Sequence, residues 1–154
     1  MRNKLKQEEG FTLIELMVVI MIISVIAAFV FPTVFNKIAR SKRIGAQTQI
    51  EIFGMALDSY RLDNDRYPTT EQGLRALRVE PSTAPLPKNW DGPYLKKEIP
   101  LDPWGNPYVY ISPGEHNPDG YDLLSYGSDG EEGGEKDAKD IVSWEGLTIE
   151  ERED

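Results

Sequence analysis

One carboxylate stands alone in the long apolar run near the start of the chain. Residues 11–31 contain a single charged side chain, Glu15. A cut after Gly10 would give Phe11 a free amine four positions before this carboxylate. Because an unpaired carboxylate at bilayer depth is energetically costly, the positive Phe11 amine is its nearest candidate partner. In the alternative interpretation, Glu15 only extends toward the interface of a monomeric anchor.

The second set of reactive groups is an excess of acidic residues in the last quarter of the chain. Residues 113–154 hold 14 acidic and 3 basic side chains, a balance of −11. Residues 33–112 hold 9 acidic and 11 basic side chains, a balance of +2. Such an acidic block repels itself unless it is solvated, disordered or neutralised by cations. The block therefore fits either a solvated surface or a cation site, and its sign argues against nucleic-acid binding.

The chain offers few groups for enzymatic chemistry. His116 is the only histidine and cysteine is absent, so the chain has neither a His–Cys zinc centre nor a Cys–His nucleophile pair. No Gly-Lys-Ser/Thr phosphate loop is present, and the paired carboxylates lie in a Gly-rich stretch without an apolar pocket. Trp90, Trp104 and Trp144 fit a packed core better than a ligand platform. We therefore expect a protein without enzymatic activity.

A membrane-spanning helix is the first element that positions these groups. The 21 residues 11–31 would form about 31 Å of helix, which matches the hydrocarbon core of a bilayer. Arg2, Lys4 and Lys6 precede this run, so the positive-inside rule keeps the N-terminus in the cytoplasm. No persuasive small-residue cleavage site follows the run, so we expect the helix to be retained. We predict three parts: an N-terminal segment at 1–10, a membrane helix at 11–32 and one globular domain at 33–154.

The helix is predicted to continue beyond the membrane as an amphipathic segment. Apolar residues recur there at steps of four, three, four and three, which is the period of one helix face: Ala46, Ile50, Phe53, Leu57 and Tyr60. The pattern stops at the Asp63-Asn64-Asp65 run before Tyr67-Pro68. Pro32 and Gly45 are the expected places for a kink or local melting.

A small β-sheet is predicted to cover this amphipathic half. Thr69 and Gln72 have the spacing of a capping box that opens a short helix through about Leu77. A proline-rich loop follows at 79–106, with packing points at Trp90, Tyr94, Leu95, Ile99 and Trp104. Residues 108–112 and 121–126 read as an antiparallel strand pair, and 141–144 as a third short strand. The predicted fold class is therefore α+β, with a long N-terminal helix packed on a small antiparallel sheet.

The chain resembles a known family in four stretches. Residues 10–15, Gly-Phe-Thr-Leu-Ile-Glu, followed by the apolar run and Pro32, resemble the type III signal of type IV pilins and pseudopilins. Residues 65–74, 102–108 and 121–130 resemble the major pseudopilins of the type II secretion system. Each of these three stretches alone has ordinary turn chemistry, but their order behind a prepilin-like signal is specific. The resemblance covers nearly the whole chain after residue 10.

This resemblance implies a function and its partners. A prepilin peptidase would cut between Gly10 and Phe11, the Phe11 amine would be methylated, and Glu15 and Pro32 would act in assembly. The mature chain would polymerise with itself into a periplasmic pseudopilus that drives protein export. Its other partners would be minor pseudopilins, an inner-membrane assembly platform with a cytoplasmic ATPase, and the lipid bilayer. The predicted location is the bacterial inner membrane, with the C-terminal domain in the periplasm. A type IV pilus or competence pilus subunit is the alternative.

The resemblance also implies one structural calcium ion in the acidic C-terminal loop. Asp129 and Asp140 match the family's first and last carboxylate ligands, and backbone carbonyls would come from Tyr126 and Glu131. The family's second aspartate falls on Ala138 or Lys139 here, which leaves Asp137 as the nearest acid. Calcium prefers six to eight oxygen ligands in a flexible cage, which such a loop can supply. A bound metal would also replace the disulfides that small exported domains often use.

Overall fold

The computed structural model describes residues 10–145, which divide into two compact units. The first unit ends at Ile38 and the second begins at Ala39. A single α-helix, α1, covers Leu13–Asn64 and contributes to both units. Residues 1–9 of the predicted N-terminal segment 1–10 and residues 146–154 lie outside the described residues, as do the side chains of Pro32, Thr33 and Asp137.

The first unit consists mainly of the apolar part of α1. An 18-residue window of this helix has a mean hydropathy of 2.9, and none of the window is buried within the chain. The helix is therefore long and apolar enough to cross a membrane. α1 is continuous through Pro32 and Gly45, so the prediction of local melting at these two positions is wrong, whereas the alternative, a kink, stays a prediction. A proline removes only one backbone hydrogen bond, and the helical turns on either side remain formed.

In the second unit, the amphipathic half of α1 supplies the core. The predicted stripe is confirmed, since Ala46, Phe53, Leu57 and Tyr60 are 0% exposed and Ile50 is 2% exposed. Burial of each large apolar side chain contributes about 1.5–3 kcal/mol to folding. The rings of Phe53 and Tyr108 meet edge to face at 5.2 Å between centroids. The apolar stripe thus packs the helix against Tyr108, the residue directly before the first strand of the sheet.

The sheet has three short antiparallel strands in the order β1-β2-β3. They cover Val109–Ile111, Asp122–Ser125 and Ile141–Val142. Tyr110 pairs with Leu123, and Ser125 pairs with Ile141. Because β2 is central, all four of its residues are buried. These strands confirm the predicted antiparallel pair, the third strand and the α+β class.

Two local signals in the sequence set the end of α1 and the segment after it. Asp65 adopts a left-handed conformation with φ 61° and its amide bonds the Arg61 carbonyl at 2.8 Å, which ends the helix. The Thr69 amide donates to Gln72 Oε1 at 3.0 Å and the Gln72 amide donates to Thr69 Oγ1 at 3.2 Å. This capping box is as predicted, but the helix after it is a single 3-10 turn at Leu74–Leu77.

Candidate functional site

The predicted processing junction lies in an exposed segment before α1. Phe11 is 89% exposed, and nothing lies within 4 Å of the point where a side chain on Gly10 would begin. Packing within the described residues therefore does not require glycine at position 10. The helix begins only at Leu13, so the Gly10-Phe11 bond is outside regular structure. Pro32 lies inside α1, with its side chain outside the described residues.

Glu15 caps the N-terminus of α1 through Thr12. The Glu15 carboxylate oxygen Oε2 accepts from the Thr12 amide at 2.8 Å and from the Thr12 hydroxyl at 2.7 Å. The Glu15 amide donates back to Thr12 Oγ1 at 3.3 Å, which completes a capping box. Thr12 was not among the predicted partners of Glu15, although the Thr-x-x-Glu spacing of residues 12–15 is that of a capping box. Oε1 accepts no hydrogen bond from the described residues, so one carboxylate oxygen remains for an amine.

The predicted calcium ligands lie in the long connection between β2 and β3. This connection, which we call the acidic loop, covers residues 126–140. Gly127 has a left-handed φ of 69°, and a side chain there would approach the carbonyl oxygens of Ala138 and Lys139 to 3.0 and 3.1 Å. The loop therefore folds back so that its two ends lie close together.

Asp129 and Asp140 stand in different environments within the acidic loop. Asp129 is exposed, and its Oδ1 accepts from the Glu131 amide at 3.2 Å. Asp140 Oδ2 accepts from the Gly133 amide at 3.0 Å, while Asp140 Oδ1 is buried and has no hydrogen-bond partner among the described residues. Among residues 10–145 other than Asp137, whose side chain is not described, no group of three or more His, Cys, Asp or Glu side chains is close enough to hold a metal. Asp129 and Asp140 therefore form no three-acid cluster with the other described side chains.

The donor chemistry of the loop nevertheless fits a hard cation. Its candidate ligands are carboxylate and carbonyl oxygens, which calcium prefers, and Asp140 Oδ1 is an unsatisfied buried acceptor. Lys139, which departs from the family pattern, points its ammonium to Glu145 Oε2 at 3.4 Å. Its positive charge is therefore directed toward a residue outside the loop.

A third feature ties the acidic loop to α1. The Arg43 guanidinium donates through Nη1 to the carbonyl oxygens of Lys136 at 3.1 Å and Lys139 at 2.5 Å. These carbonyls belong to the 3-10 turn Lys136–Ala138 and the residue after it. This contact could not be predicted from the sequence, because its partners are separated by 93 and 96 positions.

Two buried aspartates support the sheet near the loop. Asp102 is 4% exposed and its Oδ1 accepts from the amides of Trp104 at 3.0 Å and Asn106 at 2.8 Å. Its Oδ2 accepts from the Ser125 hydroxyl at 2.6 Å. Ser125 Oγ in turn accepts from the Gly127 amide at 3.3 Å. Asp102 thus anchors the start of the acidic loop.

Asp122 organises the turn that contains the only histidine. Its carboxylate accepts from the amides of Glu115 and His116 at 2.8 Å and of Asn117 at 3.1 Å. Burial alone would raise the pKa of Asp122, but these amides and the His116 ring lower it below its ordinary value. The His116 ring stacks on Trp144 with centroids 4.0 Å apart. His116 is therefore part of a turn that the Asp122 carboxylate holds in place. Trp90 and Trp104 pack against the core, whereas Trp144 covers this turn.

Comparisons with known proteins point in one direction. Residues 33–144 match the family model described as type II secretion system protein G, and residues 5–31 match the prokaryotic N-terminal methylation motif. The chain is 46% identical over 140 residues to a type II secretion system core protein G of Pseudomonas aeruginosa, covering 91% of this chain and 97% of that protein. It is also 46% identical over 138 residues to the core protein G of Escherichia coli, covering 90% and 92%.

A solved structure resembles the chain as well. The crystal structure of the major pseudopilin from the type 2 secretion system of enterohaemorrhagic Escherichia coli superimposes with a TM-score of 0.61 and 39% identity. The match covers 71% of this chain and 92% of that chain. Its fold agrees with the long helix and small antiparallel sheet described above.

Proposed function

The chain belongs to the type II secretion system protein G family, and on that basis we propose that it is a major pseudopilin. In this role, copies of the chain polymerise into a pseudopilus, a helical filament that drives export of folded proteins across the outer membrane. The chain is then a structural subunit that works by assembly. The family match over residues 33–144 favours this function over a type IV or competence pilus subunit.

The observation that carries the proposal is the division of α1 into two halves. The apolar window of α1 has no buried residue within the chain, whereas residues 46–60 of the same helix supply the domain core. An apolar helix that its own chain leaves uncovered needs lipid or other copies as its environment. Storage in a membrane followed by helix packing in a filament supplies both environments.

We infer that the subunit is stored in the inner membrane with its globular unit in the periplasm. The sequence supports this orientation because Arg2, Lys4 and Lys6 precede the apolar run. Within the pseudopilus, the subunit would contact minor pseudopilins, and its assembly would depend on the inner-membrane platform and its ATPase.

Processing between Gly10 and Phe11 by a prepilin peptidase, followed by methylation of the new amine, belongs to the same proposal. The N-terminal methylation motif match at 5–31 supports it. So does the position of the bond in an exposed segment before the helix, since a peptidase needs an extended substrate. After cleavage, Phe11 would begin the mature chain.

Glu15 would align a subunit during polymerisation by pairing with a Phe11 amine, its own or that of a neighbouring copy. The capping box with Thr12 occupies Oε2 and holds the carboxylate at the start of the helix. Oε1 is available for the amine. Since an unpaired carboxylate in hydrocarbon costs more than a paired one, the axial register that brings the two charges together would be the favoured one.

We further propose that the acidic loop binds one structural calcium ion. Asp129 and Asp140 would supply carboxylate ligands, and the backbone of Tyr126 and Glu131 would supply carbonyls, with Asp137 as a possible additional ligand. Bound calcium would neutralise part of the acidic charge and hold the loop. The unsatisfied Asp140 Oδ1 supports this assignment.

Calcium binding is tested by thermal unfolding of the purified chain in calcium and in chelator. Calcium at one hundred times its Kd stabilises a folded protein by about 2.7 kcal/mol, so the melting temperature should rise. Asp129→Ala and Asp140→Ala should each abolish this rise. Glu132→Ala, which removes an exposed acid of the same loop, is the matched control and should keep it. Identical wild-type curves in calcium and chelator would make the loop a solvated surface.

The secretion function is tested by deleting the gene and comparing exported proteins with those of the parent strain. We expect secreted proteins to accumulate in the periplasm, and the wild-type gene supplied in trans to restore their export. Unchanged secretion combined with loss of surface pili would instead identify a pilus subunit.

A further inference from the structure

The side chain of Arg43, a residue of α1, donates hydrogen bonds to the backbone of the acidic loop. It is half-buried, and its Nη1 donates to the Lys136 and Lys139 carbonyl oxygens at 3.1 and 2.5 Å. A guanidinium is planar and always charged, so two bonds from it fix position and orientation together. Arg43 thereby holds one end of the loop against the helix.

The residues held by Arg43 come directly before Asp140. The Lys139 amide donates to the Lys136 carbonyl at 3.2 Å, which closes the turn. Arg43 donates to the carbonyl oxygens of these same two residues. The Asp140 amide then bonds the Gly133 carbonyl at 3.1 Å, and the Gly133 amide bonds Asp140 Oδ2. Movement of the Lys136–Ala138 turn would therefore move the Asp140 carboxylate as well.

The positive charge of Arg43 would weaken calcium binding if it acted by repelling the cation, which is the opposite of what positioning the loop would do. Its described bonds argue for the positioning role, because both go to carbonyl oxygens and none goes to a loop carboxylate that the structure describes. The described acidic side chains, Asp129 and Asp140 among them, therefore stay available to a cation. The two effects also predict opposite changes when the guanidinium is removed, which makes them separable.

We propose that Arg43 is the positioning residue of the acidic loop, presetting Asp140 for the cation by holding residues 136–139 on α1. This inference rests on the proposed calcium site for its functional meaning. Since linkage is reciprocal, calcium in the loop would also strengthen the contact between the loop and Arg43 of α1. Loop occupancy and the assembly helix would then be coupled in one subunit.

The test compares Arg43→Met with Arg40→Met in the full chain in detergent. Arg40 lies three positions earlier on the same helix, is exposed and makes no hydrogen bond with the described residues, so its variant removes the same charge without the contact. Calcium chloride alone is titrated by calorimetry. We expect Arg43→Met to weaken calcium binding about tenfold, which corresponds to the loss of one good charged hydrogen bond, and Arg40→Met to change it less than about twofold.

Arg43→Lys separates geometry from charge. A lysine keeps the positive charge but lacks the planar guanidinium, so we expect calcium affinity between those of wild type and Arg43→Met. Equal or tighter calcium binding by Arg43→Met than by Arg40→Met would overturn the positioning role and indicate charge repulsion.

Hydrogen exchange in chelator makes the inference independent of the calcium proposal. The amides of Lys139 and Asp140 should exchange faster in Arg43→Met than in wild type, and should be unchanged in Arg40→Met. If wild type binds no calcium while this difference persists, the calcium proposal fails but Arg43 still holds residues 136–139 on α1. Equal exchange in Arg43→Met and wild type would show that Arg43 does not hold these residues.

Discussion

Asp122 allows a quantitative test of how the sheet is held to its adjoining turn. This aspartate is 1% exposed in β2, and three backbone amides donate to its carboxylate. A buried donor that loses its acceptor costs about 1–3 kcal/mol. Because the three donors lie in an exposed turn that water can reach after the change, the lower figure applies to each. We therefore expect Asp122→Ala to lower the free energy of unfolding by about 3 kcal/mol.

Asp122→Asn is the sharper variant because it keeps the shape of the side chain. Oδ2 accepts from the Glu115 and His116 amides, and Oδ1 accepts from the Asn117 amide. An asparagine oxygen can replace only one of these two acceptors, and its NH2 group would then face a donor. The expected loss at pH 7 is about 2 kcal/mol, from one lost charged hydrogen bond and one unsatisfied donor.

The pH dependence of this loss follows from the lowered pKa of Asp122. A carboxyl whose folded-state pKa is depressed stabilises the fold fully above its unfolded pKa of about 3.9. That stabilisation disappears as the pH falls through the lower folded-state pKa. The difference between wild type and Asp122→Asn should therefore shrink as the pH falls below about 4.

Urea unfolding followed by tryptophan fluorescence at several pH values measures these differences. Trp144 is a local reporter because it stacks on His116, which donates to Asp122. Asp119→Asn changes an exposed aspartate of the neighbouring turn and should cost less than about 0.5 kcal/mol. A deficit below about 0.5 kcal/mol for Asp122→Asn, or one that stays the same at pH 3, would refute the proposed role.

Three further predictions concern processing, assembly and the core. Gly10→Ala should block cleavage, so the intact mass of the membrane-extracted variant should be that of a chain beginning at Met1. The wild-type mass should be that of a chain beginning at a methylated Phe11. An uncut wild type in cells with an active prepilin peptidase would contradict the proposed processing. Glu15→Ala should be cut normally yet form no pseudopilus in electron micrographs, and normal filaments would leave Glu15 only an interfacial group. Phe53→Ala should cost about 3–5 kcal/mol in urea unfolding, against less than about 0.5 for the exposed Met55→Ala, and equal losses would disprove the placement of the stripe.

Local periodicity predicted most of the fold. The stripe from Ala46 to Tyr60 could be read from the sequence because one helix face has a fixed period, and burial followed that period. The strands and the Thr69–Gln72 capping box also depend on neighbours within a few positions. The helix stays continuous at Gly45 because one glycine costs only about 1 kcal/mol of helix stability, which the long helix around it tolerates.

The contacts that define the sites depend on residues distant in the sequence. Asp102 reaches Ser125 across 23 positions, and Arg43 reaches Lys139 across 96. A single sequence carries no period or spacing that reports such pairs. Thr12 and Glu15 are the exception, since their three-residue spacing could have been recognised as a capping box. The resemblance to the family supplied the acidic loop, but not the residues that position it.

The acidic loop depends on polar contacts at both ends, because the strand that follows it, β3, is short. β3 has two residues, and a strand of that length adds little stability by itself. The loop before it has no disulfide, because the chain lacks cysteine. Asp102 fixes the beginning of the loop through Ser125, and Arg43 fixes its end beside Asp140. If the proposed calcium ion binds between these two anchors, it would hold the ends of the loop together, as a disulfide could. Removal of the ion should then free β3 before the rest of the sheet unfolds.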